Sequence, residues 1–359
     1  MKVLFVYKYL TLGGVEAVLR ARLDGLAGMG IEAHAWFFHD YGGRSIFYGR
    51  EDRIRVGPVD DCLRWAREEG FDLLCSIDSE EVLAGFAGPQ VPRLPRSPRL
   101  VMECHSAYLA NIEYLRSLAL YRPAAVFAPS QAQRQLVLER VGKGIEVCVV
   151  PNPLRCEFVA EPAPFPAPPP WPVLAWIGRL DAQKNWKDFV RIAGLLGRRE
   201  IACEAWILGK PVEADGAARL LEHARTEGIL GRLRWFGALP YGRIPRFLDA
   251  VRDSGGAVIS TSIGESFGLT IAEAMARRCA VAAPRQGPFT EFVEEGVSGA
   301  LFTPGSIEAA ADSVAALLAD TGRRERLGRR ARETVLARFA PEPALAHLAR
   351  ALERAAAGG

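Results

Sequence analysis

Residues 264–276 read Gly264-Glu265-Ser266-Phe267-Gly268-Leu269-Thr270-Ile271-Ala272-Glu273-Ala274-Met275-Ala276 and follow directly on Val258-Ile259-Ser260-Thr261-Ser262. That order is a strand–loop–helix junction. With a helix beginning near Phe267 or Gly268, the amides of Phe267, Gly268 and Leu269 lack intrahelical acceptors and point out of the helix N-terminus, where they suit a phosphate. Glu265 lies just before such a helix, and Glu273 about two turns along it. Carboxylates accept hydrogen bonds from hydroxyls, so two of them around a phosphate point to sugar hydroxyls on one elongated ligand. The competing reading makes Glu265 an N-terminal charge favoured by the helix dipole and Glu273 a solvated surface residue. Spacing alone leaves both open.

A second cluster is Ile177-Gly178-Arg179-Leu180-Asp181-Ala182-Gln183-Lys184-Asn185. Arginine forms two parallel bonds to phosphate oxygens and lysine adds a compact point charge, so Arg179 and Lys184 suit a diphosphate without a metal. Two solvated surface cations are the plain alternative. Near the N-terminus, Leu12-Gly13-Gly14-Val15-Glu16 is either a tight turn or a loop that lets a ligand approach the backbone closely. It is no dinucleotide fingerprint, because the G-x-G-x-x-G spacing is absent. His105 follows Leu100-Val101-Met102-Glu103 and so takes the carboxyl end of a strand, where α/β folds bind ligands, although a lone histidine is more often structural. The five histidines lack metal-ligand spacing, and no metal site is expected.

The elements that must position these residues alternate. Apolar runs at Val3–Tyr7, Ala33–Phe38, Leu73–Ile77, Leu100–Glu103, Ala125–Ala128 and Glu146–Val150 have strand length. Helical stretches lie between several of them, from Gly13-Gly14 to about Met29 and at Ile112–Leu120 and Gln131–Val141. The pattern restarts with strands at Val173–Ile177, Glu204–Leu208, Leu233–Phe236 and Ala257–Ser260 and helices at Trp186–Leu196, Gly216–Gly228 and Ile244–Val251. Alternation of this kind predicts an α/β protein with two Rossmann-like parallel-sheet domains facing each other across a cleft. The expected division is an N-terminal domain over 1–161, a proline-rich linker over 162–172 and a C-terminal domain over 173–340. A C-terminal helix over 341–359 follows, with no packing partner legible.

Length and composition exclude other classes. The chain has 359 residues, 49% apolar and 24% charged, which suits two globular domains and rules out disorder for most of it. A formal charge of +3, with residues 1–161 at −1 and the remainder at +4, gives no electrostatic case for nucleic-acid binding. The longest uncharged run, 162–178, holds seven prolines and cannot form a membrane-spanning helix. Met1-Lys2 leads into a short apolar run without a cleavage pattern, so a first strand is expected there rather than a signal peptide. Seven scattered cysteines without a C-x-x-C pair read as reduced, mostly buried thiols of a cytoplasmic protein.

Residues 264–276 closely resemble the signature of the retaining glycosyltransferases of family 4: two glutamates separated by seven residues, enclosing Ser-Phe-Gly-Leu and followed by Ala-Met-Ala. Pro284–Val293 and Gly296–Phe302 resemble that family's continuation, so the likeness covers most of the second domain. The resemblance implies the GT-B fold and a nucleotide-diphosphate sugar as donor. By that resemblance Glu265 would hold donor-sugar hydroxyls and Glu273 the ribose hydroxyls. The backbone of Ser266, Phe267, Gly268 and Leu269 would bind sugar and phosphate, and Arg179 and Lys184 the diphosphate. Gly13 and Gly14 would lie close to the donor, and His105 would hydrogen-bond its sugar near the reaction centre.

Two departures stand out: Gln286-Gly287-Pro288 where the family usually has a glycine pair, and Asn185 where glycine is common. No Asp-x-Asp triplet occurs, Asp78-Ser79-Glu80 being the nearest approach, so neither a metal nor another cofactor is expected. The acceptor would be a small molecule, glycan or glycolipid bound by the first domain. The arginine-, alanine- and proline-rich composition suits a GC-rich bacterial genome. A sugar-nucleotide hydrolase, epimerase or phosphorylase on the same fold, and a nucleotide-sugar-binding protein without turnover, are the alternatives.

Overall fold

The structure is a computed structural model and describes residues 1–86 and 97–358. It divides into two compact units, Met1–Arg155 with Arg338–Gly359, and Cys156–Ala337.

In the first unit, strands β1 (Lys2–Leu10), β2 (Glu32–Asp40), β3 (Ile54–Val56), β4 (Leu73–Ile77), β5 (Arg99–Glu103), β6 (Ala125–Ala128) and β7 (Val147–Val149) form one parallel sheet in the order β3-β2-β1-β4-β5-β6-β7. Side chains alternate across a strand, so Val3 and Phe5 of β1 enter one hydrophobic cluster while Leu4 and Val6 enter another. Helix α1 (Gly14–Gly25) contributes Leu19 and Leu23 to the first cluster. Helices α2 (Val59–Glu68) and α3 (Gln131–Leu138) contribute Cys62, Leu63, Ala66 and Val137 to the second. The stretch expected as a helix over Ile112–Leu120 is instead a run of 3-10 turns over Leu109–Tyr121. Its buried residues, Ile112, Leu115 and Leu118, recur every third position, which matches three residues per turn rather than 3.6.

The second unit begins with α4 (Cys156–Val159) and holds α5 (Trp186–Arg198), α6 (Gly216–Thr226), α7 (Ile244–Asp253), α8 (Leu269–Ala276) and α9 (Ile307–Ala319). Strands β8 (Val173–Ile177), β9 (Glu204–Leu208), β10 (Leu233–Trp235), β11 (Ala257–Ile259), β12 (Ala280–Pro284) and β13 (Ala300–Phe302) form a parallel sheet in the order β10-β9-β8-β11-β12-β13. Its core packs Trp176 against Phe189, Val190 and Leu196 of α5 and against Ala310, Val314 and Leu317 of α9. Helix α10 (Thr321–Phe339) carries the chain back, the division falling in its last turn. Among the described residues no helix is long and apolar enough to cross a membrane.

Both ends of the expected division move. The proline-rich run 162–172 is part of the second unit rather than a linker. Side chains of α7 hold its backbone: Asp253 Oδ2 accepts from the Phe165 amide at 2.6 Å, and Arg252 donates to the Ala163 carbonyl at 2.9 Å. The preceding segment is held as firmly, since Arg277 donates to the Ala160 carbonyl at 2.8 Å and Arg332 to the Val159 carbonyl at 2.7 Å. The break therefore falls at Arg155/Cys156. At the other end, α11 (Pro341–Ala357) packs on the first unit, placing Leu345, Leu348, Leu352 and Ala355 in the cluster of α1. Gly25 permits this approach, because a Cβ there would stand 2.2 Å from Leu345.

Leu352 is fully buried. Leu352→Ala is expected to cost about 2–5 kcal/mol in urea unfolding. Glu353→Ala, on the exposed side of the same helix, should stay within roughly 0.5 kcal/mol of the parent. Equal effects would show that α11 is not a core element.

Candidate functional site

In the second unit, the loops after β8 and β11 are laced together. Lys184 Nζ lies 2.6 Å from Glu265 Oε1, and Ser262 Oγ donates to the same oxygen at 2.8 Å. Gln183 donates its side-chain amide to the Gly264 carbonyl at 2.9 Å and accepts the Ile263 amide on its own carbonyl at 2.9 Å. Below them, Thr261 Oγ1 accepts from the Trp176 indole at 3.0 Å and faces the Asn185 carbonyl at 2.9 Å. Asn185 itself is left-handed, with φ +51°. Glycine is at home in that conformation, and asparagine is the usual substitute because its short polar side chain bonds locally. Here Nδ2 donates to Asp188 at 2.6 Å.

Arg179 is not drawn into this cluster. Its side chain is 63% exposed and pairs with Asp181 at 3.0 Å, whereas Lys184 is 23% exposed. Asp181 links the two indirectly, since its Oδ1 accepts from the Lys184 amide at 2.8 Å. Both expected phosphate cations thus already hold carboxylate partners.

Helix α8 starts later than expected: its first helical residue is Leu269, and Gly268 is the N-cap with φ +82°. A Cβ at Gly268 would stand 2.7 Å from the Phe289 ring, so both conformation and space demand glycine. Ser266 and Phe267 lie in the preceding loop, and the Phe267 side chain is buried against Phe292. The Ile271 and Ala272 amides turn back to the Gly268 carbonyl, which leaves the amides of Leu269 and Thr270 at the helix mouth. Glu273 is 6% exposed, so the solvated-surface reading fails for it. The Tyr241 hydroxyl donates to its Oε1, with Phe158 edge-on to the tyrosine ring at 5.5 Å.

Gly13, Gly14 and His105 belong to the first unit. Gly13 caps α1, and the Glu16 carboxylate folds back beneath it to accept from the Thr11 amide at 2.5 Å and hydroxyl at 2.6 Å. A Cβ on Gly13 would stand 2.7 Å from that carboxylate, so the glycine makes room for Glu16. Burial pushes the Glu16 carboxyl up. His105 follows β5, and its amide donates to Asp78 Oδ1 at 2.9 Å. Its Nε2 lies 3.2 Å from Glu103 Oε2, and Arg22 Nη1 sits 2.9 Å from both Glu103 oxygens. Burial pushes Glu103 up, but Arg22 and His105 outweigh it and hold the carboxyl below its ordinary value. Burial pushes Asp78 up.

Sequence reasoning gave no binding or catalytic role to the side chains of Arg22, Asp78, Glu103, Asp181, Tyr241 and Ser262. For two of them a signal existed: Glu103 ends an apolar strand, and Arg22 falls on the buried stripe of α1 with Val18 and Leu19. Among the described residues, no three His, Cys, Asp or Glu side chains are grouped to hold a metal ion.

Two parallel-sheet α/β units in tandem are the fold of GT-B glycosyltransferase structures. Anabaena HepE in complex with UDP and glucose matches over 98% of this chain and 99% of its own, with a TM-score of 0.83 and 20% identity. Sucrose-phosphate synthase from Thermosynechococcus elongatus matches over 100% of both chains, at a TM-score of 0.80 and 16% identity. Likeness at that identity concerns the fold.

Residues 161–334 match the family described as "Glycosyl transferases group 1". D-inositol 3-phosphate glycosyltransferase of Nocardia farcinica is 33% identical over 165 residues, 45% of this chain and 36% of the relative. Sucrose synthase of Acidithiobacillus caldus is 29% identical over 182 residues, 47% of this chain and 23% of the relative. The chain spans less than half the length of these curated relatives.

The lowered Glu103 carboxyl fixes a sign for pH dependence. Its contribution to stability is complete above the ordinary value of 4.5 and is lost as pH falls through the lower folded value. Asp78 and Glu16, both raised chiefly by burial, act in the opposite sense, and burial persists in the variant. The unfolding free-energy gap between wild type and Glu103→Gln should therefore be flat above pH of about 5 and shrink in more acid buffer. A gap that widens toward acid pH would contradict the assignment.

Proposed function

We propose that this chain is a retaining, metal-independent glycosyltransferase that moves a hexose from a nucleotide-diphosphate sugar to an acceptor hydroxyl in the bacterial cytoplasm. The observation that carries the reading is the Lys184–Glu265 pair held at the mouth of α8, with Glu273 buried on that helix. Cations and helix amides take the diphosphate, and carboxylates take hydroxyls on either side of it. The group 1 match over residues 161–334 supports this assignment of the second unit.

In the proposed reaction the bond from the anomeric carbon to the diphosphate oxygen breaks. The bond to the acceptor oxygen forms on the same face, and the acceptor proton passes to the departing phosphate. Positive charge develops on the sugar and negative charge on the leaving group. Arg179, Lys184 and the amides of Leu269 and Thr270 meet the second by preorganised electrostatics. Glu265 holds sugar hydroxyls, Glu273 the ribose, and Ser266 to Gly268 the backbone contacts between them. His105 and the Gly13-Gly14 loop of the first unit contribute sugar contacts. An acceptor on the first unit, whether small molecule, glycan or glycolipid, completes the reading. A structural neighbour is seen with UDP-glucose, so UDP sugars are the first donors to try.

A thermal-shift series with UDP, GDP, ADP, CDP and dTDP sugars should show one base raising the melting temperature selectively. Glu265→Ala and Lys184→Ala should each lower transfer by roughly 10²-fold or more, about 2.7 kcal/mol at the transition state, with far-ultraviolet circular dichroism unchanged. Wild-type turnover in either variant removes that residue from the machinery. Loss of transfer in EDTA would overturn metal independence, and sugar release without acceptor would point to a hydrolase.

A further inference from the structure

Arg22 is fully buried and Glu103 is 1% exposed, an ion pair that only good geometry can offset against the cost of desolvation. It is not fully satisfied either, because the Arg22 Nε is buried without a partner. Apolar side chains of similar volume would stabilise such a core position as well or better. What the pair does hold is His105, at the open end of β5. The ring is 7% exposed and sits 3.2 Å from Glu103 by way of Nε2. Its backbone is fixed separately by Asp78, a non-glycine residue in the left-handed region at φ +44°, whose Oδ1 takes the His105 amide. Strained backbone of this kind persists where the surroundings over-determine it.

The chemistry of the ring follows from its neighbour. An ionised carboxylate only accepts hydrogen bonds, so the imidazole nitrogen facing it must carry the hydrogen. In a neutral ring the other nitrogen, Nδ1, then presents a lone pair, and no described residue bonds it. A lone pair selects a group that brings a hydrogen: a hydroxyl fits, a carbonyl or phosphate oxygen does not.

We propose that Glu103, braced by Arg22, is a positioning residue that fixes His105 as its Nε2–H tautomer, so that Nδ1 accepts a hydrogen bond from a substrate hydroxyl. That the hydroxyl belongs to the donor sugar rests on the transferase reading; the tautomer does not. Glu103 acts through His105.

Nitrogen-15 correlation spectra of the full-length protein in mildly alkaline buffer test the tautomer directly. One histidine signal, missing in His105→Gln, should show a protonated Nε2 and an unprotonated Nδ1, and Glu103→Gln should change that pattern. In transfer assays, Glu103→Gln should lower kcat/KM roughly 10- to 100-fold, the loss typical when a carboxylate that orients a metal-ligating histidine is removed. Its thermal shift with the nucleoside diphosphate alone should stay at the wild-type value, because His105 faces the sugar.

Glu103→Gln leaves the buried Arg22 charge against a neutral amide, which destabilises the unit, so Arg22→Met/Glu103→Gln is made beside it. A double variant that melts like wild type yet remains defective in transfer supports positioning, whereas one that regains full transfer shows a purely structural pair and overturns it. A protonated Nδ1 in the wild-type protein also overturns it. Should no donor be turned over by the wild-type protein, the transferase reading fails while the spectra still decide the tautomer.

Discussion

A parallel sheet delivers its loops to one edge, and what happens at that edge depends on how charges there are held without ladder hydrogen bonds to support them. In the second unit the answer is the contact between Lys184 and Glu265, 2.6 Å apart, with Ser262 on the same carboxylate oxygen. It joins the loop after β8 to the loop after β11, and Gln183 repeats the join through the backbone of Ile263 and Gly264. Neither loop is long, so the pair determines where a cation, a carboxylate and the mouth of α8 stand relative to one another. Preorganisation of this kind is what electrostatic catalysis requires, since dipoles already in place need no reorganisation when charge develops.

The same unit contains a second cluster of charge, and the contrast separates scaffold from site. Asp249 is fully buried and receives Arg277 through two guanidinium nitrogens, the closer oxygen at 2.7 Å, with Arg252 at 2.9 Å. Both arginines also donate to main-chain carbonyls, Arg277 to Ala160 and Arg252 to Ala163, and Arg252 pairs with Asp253 as well. The carbonyl bonds tie the segment before β8 to α7 and to the end of α8. Lys184 and Glu265 are partly exposed, at 23% and 14%, and bond to side chains. A buried pair serving carbonyls is architecture, whereas an accessible pair serving side chains can exchange partners. Uncompensated loss of either Asp249 or Arg277 would strand a charge in the core, the situation in which removal of one partner is most destabilising.

How far the sequence foretold this depends on whether a feature is local. Leu73–Ile77, Ala125–Ala128, Val173–Ile177 and Glu204–Leu208 are strands with the bounds their mainly apolar runs suggest, because a strand buried on both faces reads as a near-continuous apolar run. Short strands such as β3, with only Ile54 fully buried, carry no such run and went unread. The α8 start was placed a residue or two early, because nothing in Ser266-Phe267 reveals that Phe267 turns inward against Phe292. Asn185 looked like a departure from glycine and proves to occupy the glycine-like conformation. Proline density suggested a linker, yet docking depends on Arg252 and Asp253, some ninety residues away. Tyr241 and Glu273, 32 residues apart, could be joined only by the fold.

Four side chains expected to meet a ligand share one property: each already has a protein partner. Lys184 has Glu265, Arg179 has Asp181, Glu273 has Tyr241 and His105 has Glu103. A hydrogen bond or ion pair gained with a ligand is therefore exchanged for one already present, and the net gain is the small difference between two large terms. Exchange is easier for the Arg179 side chain, 63% exposed, than for the His105 ring, 7% exposed, so the two have different work to do. Arg179 can leave Asp181 for an incoming anion at little cost, since exposed pairs contribute little. In the role proposed for it, His105 is the exception: it keeps its partner and offers its other nitrogen, so a ligand contact would add to the Glu103 bond instead of replacing it.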